Sequence, residues 1–132
     1  MIDVRGIDNV LFAVGNLEEA ERFYGQLLGL VTAFAFCEAG IVGYRLGEEE
    51  PGVMIREQPH LAPGPARETP RLWPEVPDAR ASANVLADAG VRLLDQPKEM
   101  RSGWWFVEFA DPWGNVIDLT DYRNDPARAR GG

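Results

Sequence analysis

The chain reads as one strand-helix-strand unit written twice, about 62 residues apart, and this repeat restricts the folds open to it more than any other feature. Asn9 and Arg71 open the two copies, and Arg56 and Asp118 stand in their last strands. Each copy is about 60 residues, too short to bury a sufficient core alone, so a single unit with two halves is expected from the 132 residues. A pseudo-twofold repeat of this kind sets equivalent strand positions facing a common cleft, and the side chains at those positions decide its chemistry.

The periodicities fill in the units. Ile7 to Val14 is apolar and β-prone, interrupted by Asn9. Asn16 caps a helix with Glu19 three residues on, and Ala20, Phe23, Tyr24, Leu27 and Leu28 make its apolar stripe before Gly29 ends it in a left-handed cap. Leu30 to Cys37, Gly40 to Leu46 and Gly52 to Glu57 read as three strands. Residues 58–70 hold four prolines and read as a connection between modules. The pattern then restarts: Arg71 to Val76 as a strand, Asp78 capping a helix through Ala89, and strands at Val91 to Asp95, Gly103 to Phe109 and Asn115 to Thr120. Pro74 is discordant in its strand, because proline donates nothing to a ladder and demands an edge or a bulge. The expected fold class is α+β, with two tandem βαβββ modules in a curled mixed sheet around a cleft. The first module takes residues 1–57, the second 71–122, and residues 123–132 form a loose tail.

Strand alternation places Asn9, Leu11 and Ala13, Met54 and Arg56, Arg71 and Trp73, and Val116, Asp118 and Thr120 on the faces away from the helices. Trp104 and Trp105 are adjacent and must face opposite ways, so one of them joins Trp73 on that side. Facing aromatic rings would sandwich a planar ligand. Trp113, at a turn tip, is expected to be exposed or at a subunit contact, and Cys37, in the apolar neighbourhood of Phe34 and Phe36, is expected to be a small core residue.

Two segments carry a family likeness. Glu21-Arg22-Phe23-Tyr24-Gly25-Gln26-Leu27-Leu28-Gly29-Leu30 resembles the helix-end signature of the vicinal oxygen chelate superfamily, which holds glyoxalase I, extradiol dioxygenases and the bleomycin-resistance proteins. Asp111-Pro112-Trp113-Gly114-Asn115-Val116-Ile117-Asp118-Leu119 resembles the closing strand of the same superfamily. With the doubled βαβββ pattern, the likeness spans residues 7 to 121. It implies a homodimer, and in metal-dependent members a divalent ion held by residues from the first and last strands of each module. Those positions correspond here to Asn9, Arg56, Arg71 and Asp118. Only Asp118 among them suits a metal, because a guanidinium has no lone pair to give and its charge opposes an ion's.

The resulting expectation is a protein without a metal cofactor that binds a small molecule, with Asn9, Arg56, Arg71, Trp73, Trp104 and Asp118 as the ligand-binding residues. Two readings of the polar set stay open: a guanidinium fork holds a ligand oxyanion beside Asp118, or Asp118 pairs with the arginines and joins the halves. No catalytic residue is assigned. The alternative is a lyase, isomerase or dioxygenase of the same superfamily, with an atypical divalent metal on Asp118, Glu75 or Glu108; a metal-free variant would use Asp118 as acid or base. The only histidine, His60, falls in the proline-rich connection.

The net charge of −8 excludes a nucleic-acid partner and suits a planar or cationic ligand, such as an antibiotic or an aromatic metabolite to be sequestered. No apolar run is long enough to span a bilayer, and the first residues lack a secretory pattern, so a cytoplasmic location is expected.

Overall fold

Asn16 begins the first helix as its spacing predicts: in the computed structural model its side chain accepts a hydrogen bond from the Glu19 amide at 2.8 Å, and its backbone is extended. The structure describes the chain apart from residues 2, 4, 6, 68, 69, 101, 102 and 130–132 and the side chains of 49 and 50. Two compact units, Met1–Ala62 and Pro63–Gly132, divide it, with the boundary inside the proline-rich segment. Each is a βαβββ module, so the two tandem modules of the α+β class are present.

In the first unit, β1 (Asn9–Val14) leads to α1 (Leu17–Glu21), then to β2 (Thr32–Phe36), β3 (Ile41–Leu46) and β4 (Glu49–Glu57). The sheet order is β1-β4-β3-β2, parallel at β1/β4 and antiparallel elsewhere. Phe12, Val14, Val42, Tyr44, Val53 and Ile55 are buried, as are Ala20, Phe23 and Tyr24 of the helical segment. α1 does not continue as a regular helix to Leu28. Residues Arg22–Leu27 are π-helical, and the Leu28 amide donates to the Phe23 carbonyl at 3.0 Å. The wider turn lets two consecutive aromatics face the sheet, with Tyr24 stacked 6.1 Å from Tyr44. Gly29 then takes φ 70°, the left-handed cap its position requires. Losing the Asn16 side chain leaves an amide of the first turn unpaired. Asn16→Ala is expected to cost about 1 kcal/mol, read as a lower urea midpoint at unchanged m-value.

Cys37 departs from expectation. It lies exposed in a short 3₁₀ turn, Cys37–Ala39, because β2 is an edge strand with little packed against it.

In the second unit, β5 (Arg71–Leu72), α2 (Ala79–Asp88), β6 (Lys98–Glu99), β7 (Trp105–Ala110) and β8 (Val116–Asp121) give the order β5-β8-β7-β6, the same topology again. The strand expected over Arg71 to Val76 stops at Leu72, two residues short of Pro74. It resumes only as a bridge between Glu75 and Thr120, with the Thr120 amide donating to the Pro74 carbonyl at 2.9 Å. Val91 to Asp95 is not a strand either. Only Leu93 bridges to Phe109, since the alternation breaks at the Leu93–Leu94 pair, and the edge is β6 instead. Asp78 caps α2 through the Ala81 amide, and buried Asp121 accepts from the Ala79 amide at 3.0 Å.

The start of the tail makes defined contacts as far as Arg128. Arg123 pairs with Asp78 and Asp121, and the Arg128 guanidinium sits 5.5 Å from the Tyr122 ring centroid. Its last residues, 130–132, lie outside the described residues. Among the described residues, no helix is long and apolar enough to cross a membrane.

Candidate functional site

β7 and β8 are antiparallel partners with Glu108 directly opposite Asp118 and Phe106 opposite Thr120. Side chains at 104, 106 and 108 therefore share a face with Asp118, Thr120 and, from β5, Arg71. The other face belongs to α2: Val107, Phe109, Ile117 and Leu119 are buried, and Arg80 from α2 lies 4.3 Å over the Trp105 ring. Trp104 is thus the member of the tryptophan pair that meets Trp73.

Two carboxylates placed opposite each other on a ladder repel, and this pair is held by a cation. Arg71 Nη1 makes an ion pair with Glu108 and lies 3.9 Å from Asp118 Oδ2. Burial grades sharply across the trio: the side chains are 33% exposed for Arg71, 22% for Glu108 and 0% for Asp118. Neither oxygen of Asp118 meets a hydrogen-bond donor among the described residues. Its neighbour is another acceptor, the Glu108 carboxylate, so a proton on Asp118 is what joins the two groups. Burial first, and then Glu108, push the Asp118 carboxyl up from 3.8 to about 7, with Arg71 pulling the other way. The arginine's close partner is Glu108, where the sequence pointed to Asp118. Asp118 is a group beneath the surface and Glu108 is the one that reaches it.

Beside this trio lies a continuous aromatic surface. Trp73 and Phe106 stack with centroids 5.9 Å apart at 29°, Trp73 meets Trp104 at 6.2 Å, and Trp104 meets Tyr122 at 5.7 Å. A ring slipped between two others needs a gap of about 7 Å, two contacts of about 3.5 Å each. The expected sandwich therefore has no slot here; these rings already touch one another. What they offer is an outer surface, and Trp73 is 51% exposed. Tyr122 went unnoticed in the sequence because it follows the strand pattern's end, although the same alternation that marks Asp118 and Thr120 reaches it. Trp113, expected outside, is 3% exposed, since the turn carrying it is covered by residues 64–67: Arg67 Nη2 donates to the Trp113 carbonyl at 3.2 Å.

Of the six residues singled out, Arg71, Trp73, Trp104 and Asp118 share this face of the second unit's sheet. Asn9 and Arg56 lie on the open face of the first unit's sheet, where β1 and β4 pair. Asn9 donates to Asp8 at 3.0 Å, and Arg56 is exposed. Glu57, on the opposite side of the strand from Arg56, accepts from the Leu17 amide at 2.8 Å. His60 is exposed in the connection. The repeat is also less regular than its spacing. Arg71 pairs with Val116, whose counterpart 62 residues earlier is Met54, and Met54 pairs with Leu11. Arg71 therefore occupies the ladder position of Leu11, one side-chain step from that of Asn9, on the same face.

A divalent ion does not suit these side chains. Among the described residues, no three His, Cys, Asp or Glu side chains gather, and the two carboxylates that do meet are engaged by a guanidinium that would repel the ion.

The doubled βαβββ topology and the closing Asp111–Leu119 segment define a class. The chain belongs to the Glyoxalase/Bleomycin resistance protein/Dioxygenase superfamily, whose family model matches residues 6–119; it is a vicinal oxygen chelate fold. Among solved structures, it is similar to a superfamily member from Sphaerobacter thermophilus, with TM-score 0.72, 20% identity, and coverage of 89% of this chain and 98% of that one. A glyoxalase/dioxygenase from Nostoc punctiforme aligns with TM-score 0.70 at 16% identity, covering 89% and 90%. The lactoylglutathione lyase from Agrobacterium tumefaciens aligns with TM-score 0.68 at 14% identity, covering 90% and 95%. At such identities the likeness is one of fold. No curated protein sequence matches the chain significantly.

Proposed function

We propose that this protein binds a planar, positively charged small molecule on the aromatic surface of the second module, without a metal cofactor, and sequesters it. The observation that carries the reading is the aromatic surface itself: half-exposed Trp73 stacked on Phe106 and continued through Trp104 to Tyr122. An aromatic face attracts a cation through its π-electrons, with no need of a free carboxylate. The chain's own guanidiniums already lie over two of its rings, Arg80 on Trp105 and Arg128 on Tyr122. The net charge of −8 draws such a ligand in. An antibiotic or an aromatic metabolite of this shape is the ligand class, and the cytoplasm is the proposed location.

Tryptophan fluorescence quenching tests the reading with proflavine as planar cation and a naphthalene sulfonate as planar anion. The cation is expected to bind more tightly. Trp73→Ala is expected to weaken it about tenfold, or ~1.4 kcal/mol. Preference for the anion would overturn the reading. So would near-stoichiometric iron, manganese, nickel or zinc in the purified protein whose removal abolishes binding.

A further inference from the structure

Two guanidiniums lie over rings of the second module, and they are held differently. Arg80 belongs to α2 and covers Trp105 at 4.3 Å, a contact between helix and sheet. Arg128 belongs to the tail and lies 5.5 Å from the centroid of Tyr122, the ring that ends the open-face aromatic surface through its 5.7 Å contact with Trp104. Two successive turns bring it there. The Asp125 amide donates to the Tyr122 carbonyl at 2.8 Å, and the Arg128 amide donates to the Asp125 carbonyl at 3.0 Å. Asp125-Pro126-Ala127-Arg128 has the residues such a turn favours, aspartate first and proline second. The turns start beside Arg123, which is anchored on Asp78 and Asp121, and a Cβ built on Gly103, the residue before Trp104, would lie 3.5 Å from Asn124 Cβ. From Pro126 to Ala129 the chain is exposed, so little burial opposes lifting Arg128 off the ring.

We infer that the Tyr122 end of the aromatic surface is a subsite for a guanidinium-bearing ligand and that Arg128 is its tethered occupant, which the ligand must displace; this rests on the surface being a binder of planar cations, as proposed above. The chemistry matches. A guanidinium is flat, charged and weakly hydrated, so it leaves water for a ring face more readily than an ammonium does. Tyr122 is partly exposed, and Trp104 and then Trp73 continue the surface beyond it. An aryl guanidinium can therefore set its charge on Tyr122, where Arg128 now sits, and extend its ring toward Trp73. A group tethered this closely is present at an effective concentration on the order of millimolar. An exposed contact between a cation and a ring is nonetheless weak, so the tail lowers the ligand's affinity by the fraction of time it occupies the ring and does not abolish binding.

Tryptophan fluorescence and NMR of the full chain test this, with phenylguanidine as probe and phenylurea as its neutral analogue of like shape. The wild type is expected to bind phenylguanidine more tightly than phenylurea. Arg128→Ala is expected to tighten phenylguanidine about three- to sixfold, the factor for freeing a ring held by one exposed cation contact. Arg92→Ala, which removes the same charge from an exposed position elsewhere on the module, is expected to leave the affinity unchanged. The Arg128 Nε–H resonance is expected to be displaced by the Tyr122 ring current in the free wild type. When phenylguanidine saturates the protein, it is expected to move to its position in Tyr122→Leu. Equal affinities in wild type and Arg128→Ala, or an Arg128 resonance that phenylguanidine does not move, overturn the inference and leave the planar-cation reading standing if proflavine still binds. Phenylurea binding as tightly as phenylguanidine overturns the guanidinium subsite. Failure of both proflavine and phenylguanidine to bind either protein overturns the inference and the reading beneath it together.

Discussion

Asp118→Asn is expected to stabilise the protein at pH 8 by about 2–3 kcal/mol while changing little at pH 4. The Asp118 carboxyl is raised from 3.8 to about 7 in the folded chain, so between these values the folded state holds a proton that the unfolded state has released. Stability therefore falls as pH rises across that interval, and the penalty is complete above about pH 7. Three pKa units at about 1.36 kcal/mol each set a ceiling of about 4 kcal/mol. The amide still has to be buried, and the attraction to Arg71 is lost, which brings the expected gain below the ceiling. Urea unfolding of both proteins at several pH values measures the difference. A variant less stable than wild type at pH 8, or a difference that does not grow between pH 4 and pH 8, would show that Asp118 carries no such burden. The same experiment bears on the polar trio as a whole, because Glu108 raises Asp118 only if the two carboxylates lie as close as their strand pairing implies.

A larger loss is expected at the turn before β8. Gly114 has φ 89°, and a Cβ added there would lie 2.0 Å from the Pro65 carbonyl oxygen, an impossible approach to backbone. Neither side can move aside easily. Asp111 Oδ1 accepts from the Trp113 and Asn115 amides at 2.9 Å each, Asn115 Nδ2 donates to Asp111 Oδ2 at 2.7 Å, and the Arg67 amide donates to the Gly114 carbonyl at 2.7 Å. Gly114→Ala is expected to cost about 3–5 kcal/mol, the range of strain combined with a forced backbone shift. Gly90→Ala isolates the strain, since Gly90 also has a positive φ, 81°, but nothing within 4 Å of its added Cβ. It is expected to cost about 1–2 kcal/mol. Equal melting temperatures for the two variants would mean that the Pro65 contact does not constrain the turn.

These two expectations mark where the sequence was and was not sufficient. The Asp111–Leu119 segment is legible because local chemistry makes it: an Asp whose carboxylate caps its own turn and a glycine at a left-handed position are short-range features. The capped helices after Asn16 and Asp78 are legible for the same reason. β5 was misread past Leu72 and β6 was placed too early because short edge strands depend on what lies beside them more than on their own residues. The π-helical turn at Phe23 and Tyr24 breaks the 3.6-residue stripe to bury both rings, with Tyr24 stacked on Tyr44, a demand that comes from the sheet.

Alternation alone assigned Arg71, Trp73 and Asp118 to one kind of face, with one of Trp104 and Trp105 beside them, since a strand's side chains must alternate whatever surrounds it. The repeated βαβββ order and the faces of its strands were thus fixed by residue periodicity. Only the tertiary structure decided that Glu108 stands between Arg71 and the surface while Asp118 is sealed below, and that the rings touch and leave no slot. Depth and cross-strand distance depend on register and packing between segments far apart in the chain, which a one-dimensional pattern does not contain.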